Sequence, residues 1–390
     1  MAVLNRLSEF YDEMVEWRRD FHENPELEFD VHRTAAVVEA KLKAFGCDEV
    51  VTGVGRTGVV GIIKGRGGGD KVVGLRSDMD ALPMDEHTGL PYASNTPGKM
   101  HACGHDGHMS MLLGAAKYLA ETRNFDGSVA VIFQPAEEQG GGGEAMVLNG
   151  MMDRFGIDEV YGMHNAPDIP IGQFSLRKGP LLASTDEYTV LIKGYGGHGA
   201  RPQRAVDPTI IAANIIIATQ SVAARNLDPL EQMVVSTTAF KTESDTVNVI
   251  PGTVTLRGTV RCFAEHNRAL ARERLNAIFE NTAKAFGGEV ETEWERGYPP
   301  TVNHDDAAMF AADVADEITP GCVRDQAPIM GAEDFSYMLE ARPGAMIFIG
   351  NGDSAECHHP KYDFADETMP AGASWWIRLA ERAMPLKQGN

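Results

Sequence analysis

Ser128-Val129-Ala130-Val131-Ile132-Phe133-Gln134-Pro135-Ala136-Glu137-Glu138 passes from a short apolar run directly into two adjacent carboxylates. The apolar part is rich in β-branched residues and too short for a helix, so it reads as a strand. The same layout recurs three times. Residues 71–75 lead into Arg76-Ser77-Asp78-Met79-Asp80, residues 159–163 into His164, and residues 346–349 into the loop carrying His358. Each strand-like run opens onto chemically capable side chains. That is the layout of an α/β sheet whose site lies outside the strands' carboxyl ends. Helical periodicity appears at residues 4–22 and 32–45, with Gly46 as a stop, and at 109–122, where Leu112, Leu113, Ala116 and Leu119 share a face.

The middle of the chain reads differently. Strand patterns at residues 188–193, 233–240, 254–263 and 289–295 alternate with helices at 208–224 and 266–286, giving the order βαββαβ. This order predicts a ferredoxin-like α+β unit, and few ligand-type residues lie within it. The reading is one discontinuous catalytic α/β domain, residues 1–183 and 297–390, interrupted by an inserted α+β domain at 184–296.

Met100-His101-Ala102-Cys103-Gly104-His105-Asp106-Gly107-His108 packs a thiol, three imidazoles and a carboxylate into one short stretch. Cys, His and Glu bind borderline transition metals. Cys103 and His105 converge if the segment is an extended or turning loop. Glu137-Glu138, His164 and His358 each end a separate strand-like run, where a sheet gathers its loops. Together they offer enough ligands for two cations, and such a pair suits hydrolysis. Glu137 and Glu138 would repel if both were buried and unpaired. A metal resolves this for one; the other becomes a general-base candidate. Asp78 and Asp80 fit either turn formation or the orientation of a ligand from behind. His101, His108 and His359 read as supporting or surface groups. His198, held between Gly197 and Gly199, reads as a surface loop or, in preference, a mobile oxyanion or substrate contact.

Some functions are excluded. With 56 acidic against 35 basic residues the formal charge is -21, which opposes binding to phosphate backbones. Without a run of 18 apolar residues, a membrane span is not expected, and the alternating start of the chain is not a signal peptide. Five scattered cysteines, Cys47, Cys103, Cys262, Cys322 and Cys357, suggest a reducing, cytoplasmic setting. Gly53-Val54-Gly55-Arg56-Thr57-Gly58 matches a dinucleotide fingerprint, but a strand pattern follows it where a helix is required.

Arg76-Ser77-Asp78-Met79-Asp80-Ala81-Leu82-Pro83, MHACGHDGHMSMLLGAA, QPAEE, GMHN, GHGARP, NVIPGTVTLRGTVR and MGAEDF together resemble the M20 metallopeptidase clan. They are most similar to its branch of hippurate hydrolases, N-acyl-amino-acid hydrolases and auxin-conjugate hydrolases. The resemblance spans nearly the whole chain. It implies a two-metal catalytic domain with an inserted lid or dimerisation domain, and a homodimer or dimer-based tetramer. It implies Cys103, His105, Glu138, His164 and His358 as ligands of two divalent ions, Mn2+, Zn2+ or Co2+. Glu137 would be the general base, His198 the lid histidine and Asp80 the supporting carboxylate, with Asn248 and Arg257 holding substrate. The implied reaction is hydrolysis of N-acyl amino acids; a dipeptidase or carboxypeptidase, or a silent metal-binding scaffold, are the alternatives. Two departures from the pattern stand out. Glu28 occupies a region where a glycine is expected, and Cys357 precedes His358 where an aliphatic residue is usual.

Overall fold

The computed structural model describes residues 5–387. The expected first helix begins at residue 4, which lies outside the described residues. The chain divides into two compact units: one comprises the chain up to Leu181, Val302–Ala327 and the chain from Asp334, the other Leu182–Thr301 with Pro328–Glu333. The first unit opens with α1 (Asn5–Glu23), α2 (His32–Phe45), β1 (Glu49–Val54), β2 (Gly58–Lys64), β3 (Val72–Asp78) and α3 (His105–Thr122). It continues with β4 (Ser128–Gln134), α4 (Gly142–Leu148), β5 (Glu159–Pro167) and β6 (Phe174–Ser175). The second unit contributes β7 (Asp186–Lys193), α5 (Pro208–Ser221), β8 (Met233–Thr242), β9 (Thr253–Cys262), α6 (Glu265–Ala285) and β10 (Glu289–Arg296). The chain then returns to the first unit with α7 (Asp305–Ile318), β11 (Gly344–Gly352) and α8 (Met369–Ala383).

The first unit is a mixed seven-stranded sheet, ordered β1-β2-β4-β3-β5-β11-β6. Its centre is parallel, β4-β3-β5-β11, and the edges are antiparallel. Every residue of β4 after Ser128 is buried, as a strand covered on both faces requires. α1 buries Leu7, Phe10, Met14, Trp17 and Phe21, a stripe at helical spacing. α2 stops at Gly46, whose φ of 83° lets its N–H reach back to Leu42 and Lys43 carbonyls. The glycine-rich 53–58 segment joins β1 to β2 in a hairpin whose turn is residues 55–57, so a strand follows it and not a helix.

α3 differs from the expectation drawn from its sequence. It starts at His105, so His105 is the first helical residue and only Cys103 stays in the turn. Residues His105 through Ala116 are buried without interruption, because this part of the helix runs through the core. Gly104 makes the entry possible. Its φ is 89°, and an added Cβ would lie 2.3 Å from the Asn165 side chain and 2.6 Å from the Tyr362 hydroxyl.

The second unit is a four-stranded antiparallel sheet ordered β8-β9-β7-β10. Tyr188, Val190, Ile192, Val254, Leu256 and Val260 pack with Ile211, Ile215, Leu275 and Phe279 of the two helices to form its core. α5 ends at Ser221, and a single π turn over Val222–Asn226 continues it. Among the described residues no helix is long and apolar enough to cross a membrane.

Candidate metal centre

Sheet register brings the site together. Asp78 at the end of β3 is paired with Gln134 at the end of β4, so Asp80 and Glu137-Glu138 emerge side by side. Ala136 reverses the chain with φ 53°. The two following amides then point back at one carboxylate: Asp80 Oδ1 accepts the N–H of Glu137 at 2.9 Å, and Oδ2 that of Glu138 at 3.1 Å. The backbone carbonyl of Asp80 accepts from His105 Nδ1 at 2.7 Å. Asp80 therefore orients the imidazole with its carbonyl and the twin glutamates with its side chain.

Hydrogen bonding assigns the imidazole tautomers, since a carbonyl can only accept. His105 Nδ1 and His164 Nδ1 carry protons, the latter donating to Asn165 O at 2.6 Å. Their Nε2 atoms are left facing one another's neighbourhood, with His164 Nε2 3.3 Å from Cys103 Sγ. His108 Nε2 accepts the Asn165 N–H at 2.9 Å, and its Nδ1 donates to Asp78 Oδ1 at 2.7 Å. With both nitrogens committed, His108 is a support. Asp78 is committed likewise, since its other oxygen accepts from Arg76 at 2.8 Å.

The ligand-type atoms of Cys103, His105 and His164 lie within 4.8 Å of one another, and so do those of Cys103, Glu138 and His358. Cys103 belongs to both sets. A third set joins His105, Glu137 and Glu138. His358 has φ 65°, and its Nε2 lies 3.3 Å from Glu138 Oε1. His359 turns elsewhere, accepting the Lys361 N–H on its own Nδ1 at 3.1 Å, and is exposed. His101 is buried beside His22, at 6.4 Å between rings, and burial pushes its pKa down to about 3.

Electrostatics suit a cation. Burial opposes charge on His105, but Asp78, Asp80 and Glu138 outweigh it and push the imidazole up to about 10. The hydrogen bond that Cys103 donates to Cys357, burial and the nearby glutamates hold the Cys103 thiol well above its ordinary value. Burial works against ionised Glu138, yet His358 and His105 hold it below the usual range. Burial raises Asp80 and lowers His164 to about 3. His105 Nε2 and Glu138 Oε1 are buried without a hydrogen-bond partner. A thiol-bearing cluster of imidazoles and carboxylates with a nitrogen and a carboxylate oxygen left without hydrogen-bond partners fits divalent cations of borderline softness.

The second unit carries the remaining candidates. His198 is exposed on a short ladder, Gly197–His198 against Val249–Ile250. Gly199 donates to Asn248 O at 2.8 Å, so His198 and Asn248 share one edge. Arg257 on β9 is exposed, 3.6 Å from Glu187. Asn165 and Tyr362 were missed from sequence. Asn165 Nδ2 donates to Cys103 O at 2.6 Å, and its Oδ1 accepts from Tyr362 at 2.6 Å. The signal for Asn165 was its place in the GMHN motif; nothing local marks Tyr362. Glu28 sits at φ 50° and its carbonyl accepts the Ala136 N–H at 3.0 Å. The left-handed backbone explains why a glycine is expected in that region.

Residues 74–382 match the family model for peptidase family M20/M25/M40. The chain belongs to that family. It is 41% identical over 382 residues to the hippurate hydrolase of Campylobacter jejuni, covering 97% of this chain and 99% of that one. It is 39% identical to an N-acetyl-L-cysteine deacetylase of Bacillus subtilis, covering 98% and 90%. A solved Bacillus subtilis protein, a dinuclear metal-binding peptidase of family M20, superimposes with a TM-score of 0.84 at 32% identity, covering 97% and 100%. This M20 chain is a metal-dependent hydrolase of amide bonds.

Proposed function

We propose that this M20 hydrolase cleaves the amide bond of N-acyl amino acids of the hippurate type, releasing a carboxylic acid and a free amino acid. The observation that carries the reading is the turn at Glu137-Glu138. Both amides are fastened to Asp80, so two adjacent carboxylates are presented at one cluster. Glu138 lies in a set with Cys103 and His358 that does not include Glu137. The likeness to the hippurate hydrolase and the deacetylase supports the substrate class.

Cys103, His105, Glu138, His164 and His358 would hold two divalent ions, Mn2+, Zn2+ or Co2+. When bound, the ions acidify water and polarise the scissile carbonyl. Glu137 takes the proton from the attacking water and delivers it to the leaving amine nitrogen. Asp80 keeps Glu137 and His105 in mutual register. His198, on its exposed edge, donates a hydrogen bond to the oxyanion of the tetrahedral intermediate, while Asn248 and Arg257 hold the substrate. The second unit serves as lid and dimerisation surface in a homodimer or dimer-based tetramer. Ile210 and Ile217 of α5, exposed at 51% and 73%, support an apolar contact there.

The test measures free amino acid released from benzoyl-, acetyl-, succinyl- and indoleacetyl-amino acids, with a dipeptide arm. Each arm is run before chelation, after chelation, and after return of Mn2+, Zn2+ or Co2+. Release from the benzoyl or acetyl arms, lost to chelator and restored by metal, is expected. Turnover of dipeptides alone would replace this reading with a dipeptidase, and none in any metal-loaded arm would leave a silent scaffold.

A further inference from the structure

We infer that Asp334 is a positioning residue for the glutamate turn, holding it through a buried clasp with Arg76, Gln134 and Gly143. The inference rests on the reading of Glu137 as general base. Asp334 and Arg76 are fully buried. Asp334 Oδ1 accepts from Arg76 Nη2 at 3.1 Å and from Gln134 Nε2 at 2.6 Å. Its Oδ2 accepts the backbone N–H of Gly143 at 2.7 Å. These partners flank the turn, Gln134 just before Glu137 and Gly143 just after it. An Asp334 carboxylate oxygen lies within 4.8 Å of one on Glu137.

The need for a clasp is written in the residues around it. After Gln139, the glutamates are followed by Gly140, Gly141, Gly142 and Gly143, and four glycines give a chain little stiffness of its own. Asp80 fixes the amides of Glu137 and Glu138, and the Gly142 N–H closes the turn on the Ala136 carbonyl at 3.0 Å, but Gly143 beyond it needs an anchor of its own. Asp334 supplies it, and close approach demands glycine there: a Cβ on Gly143 would sit 2.5 Å from the Asp334 carbonyl oxygen. These three partners are donors, and a carboxylate accepts from all of them together. Arg76 compensates the buried charge and also binds Asp78 and Gln134. Through Asp78 and His108 it links the clasp to Asn165 beside Cys103. Small misplacements of a reacting group cost large factors in rate.

Two variants loosen the clasp in different ways. Asp334→Asn puts an amide donor against one of the three donors. Gly143→Ala keeps every charge and pushes the turn away by contact. Each should lower kcat about ten- to a hundredfold with KM, metal stoichiometry and melting temperature little changed. On a Glu137→Gln background, Asp334→Asn should cause no further loss, because it acts through Glu137. Should Asp334→Asn fail to fold, Gly143→Ala decides the matter by the same readouts. Unchanged kcat, a loss that tracks metal content or melting temperature, or a full additional loss in the double variant would overturn the inference. Glu137→Gln with normal turnover would remove the base reading and this inference with it. An inactive Glu137→Gln beside a normal Asp334→Asn would remove this inference alone.

Discussion

Asp80 reaches across 57 residues of sequence to accept the backbone N–H of Glu137 at 2.9 Å. The contact makes Asp80 the hinge of the site, for its carbonyl also orients His105. Asp80→Ala should keep that carbonyl and free the two amides. Turnover should fall about ten- to a hundredfold while most of the metal is retained. Parallel measurement of kcat and metal content checks this; equal fractional loss of both would mean that Asp80 serves metal binding alone.

The twin glutamates should separate by substitution. Glu137→Gln should keep metal and fold but lose turnover by roughly a hundred- to ten-thousandfold, as general-base removal does. Glu138→Gln should instead weaken metal affinity, with activity recovering as added metal rises. Elemental analysis after gel filtration, paired with a metal titration of activity, distinguishes the two.

His358 and His359 are neighbours in sequence, but only His358 faces Glu138. His358→Ala should reduce bound metal from two equivalents toward one, and His359→Ala should leave it unaltered. The opposite pattern would move the assignment by one residue.

His22 should give stability a pH dependence unrelated to catalysis. Burial opposes its charge, but Asp106 at 2.8 Å and Glu86 at 3.4 Å outweigh it and push the imidazole up to about 9. Arg18, His101 and Tyr92 also face this ring. A folded pKa above the unfolded value of about 6.5 means stability present below pH 6.5 and lost as pH rises toward 9. The loss should be on the order of 3 kcal/mol for the pair. Urea unfolding at pH 6 and pH 9.5 should show it in the parent and a much smaller difference in His22→Gln; equal differences would sink the idea.

His198 should act on turnover without touching metal. His198→Ala should cost roughly 3 kcal/mol of barrier, about a hundredfold, at unchanged metal content. If the contact is made across a dimer, mixing His198→Ala with Glu137→Gln chains should restore activity, since one site of each mixed dimer is then intact. Demonstrated heterodimers that stay inactive would place the contact within one chain.

Much of this protein was determined locally. Runs such as 128–133 and 58–64 are strands because short β-branched segments have few alternatives, and α1 and α2 follow from stripes of apolar residues, the second ending at Gly46. The chemistry of Glu137-Glu138 and of the Cys103–His105 stretch was legible from side-chain types alone. Tertiary structure decided how those groups are aimed. His105 begins a helix instead of lying in a loop, because Gly104 can take a left-handed φ where Asn165 and Tyr362 crowd it. Asp80 supports the glutamates as well as an imidazole, because β3 and β4 pair in one register. His108 and Asp78 are tied behind the site, and Asn165, Tyr362 and Asp334 enter it from distant segments. Propensity and periodicity act over a few residues, whereas these hydrogen bonds join groups from 25 to 197 positions apart. Only packing the sheet and α3 into one core brings them within reach.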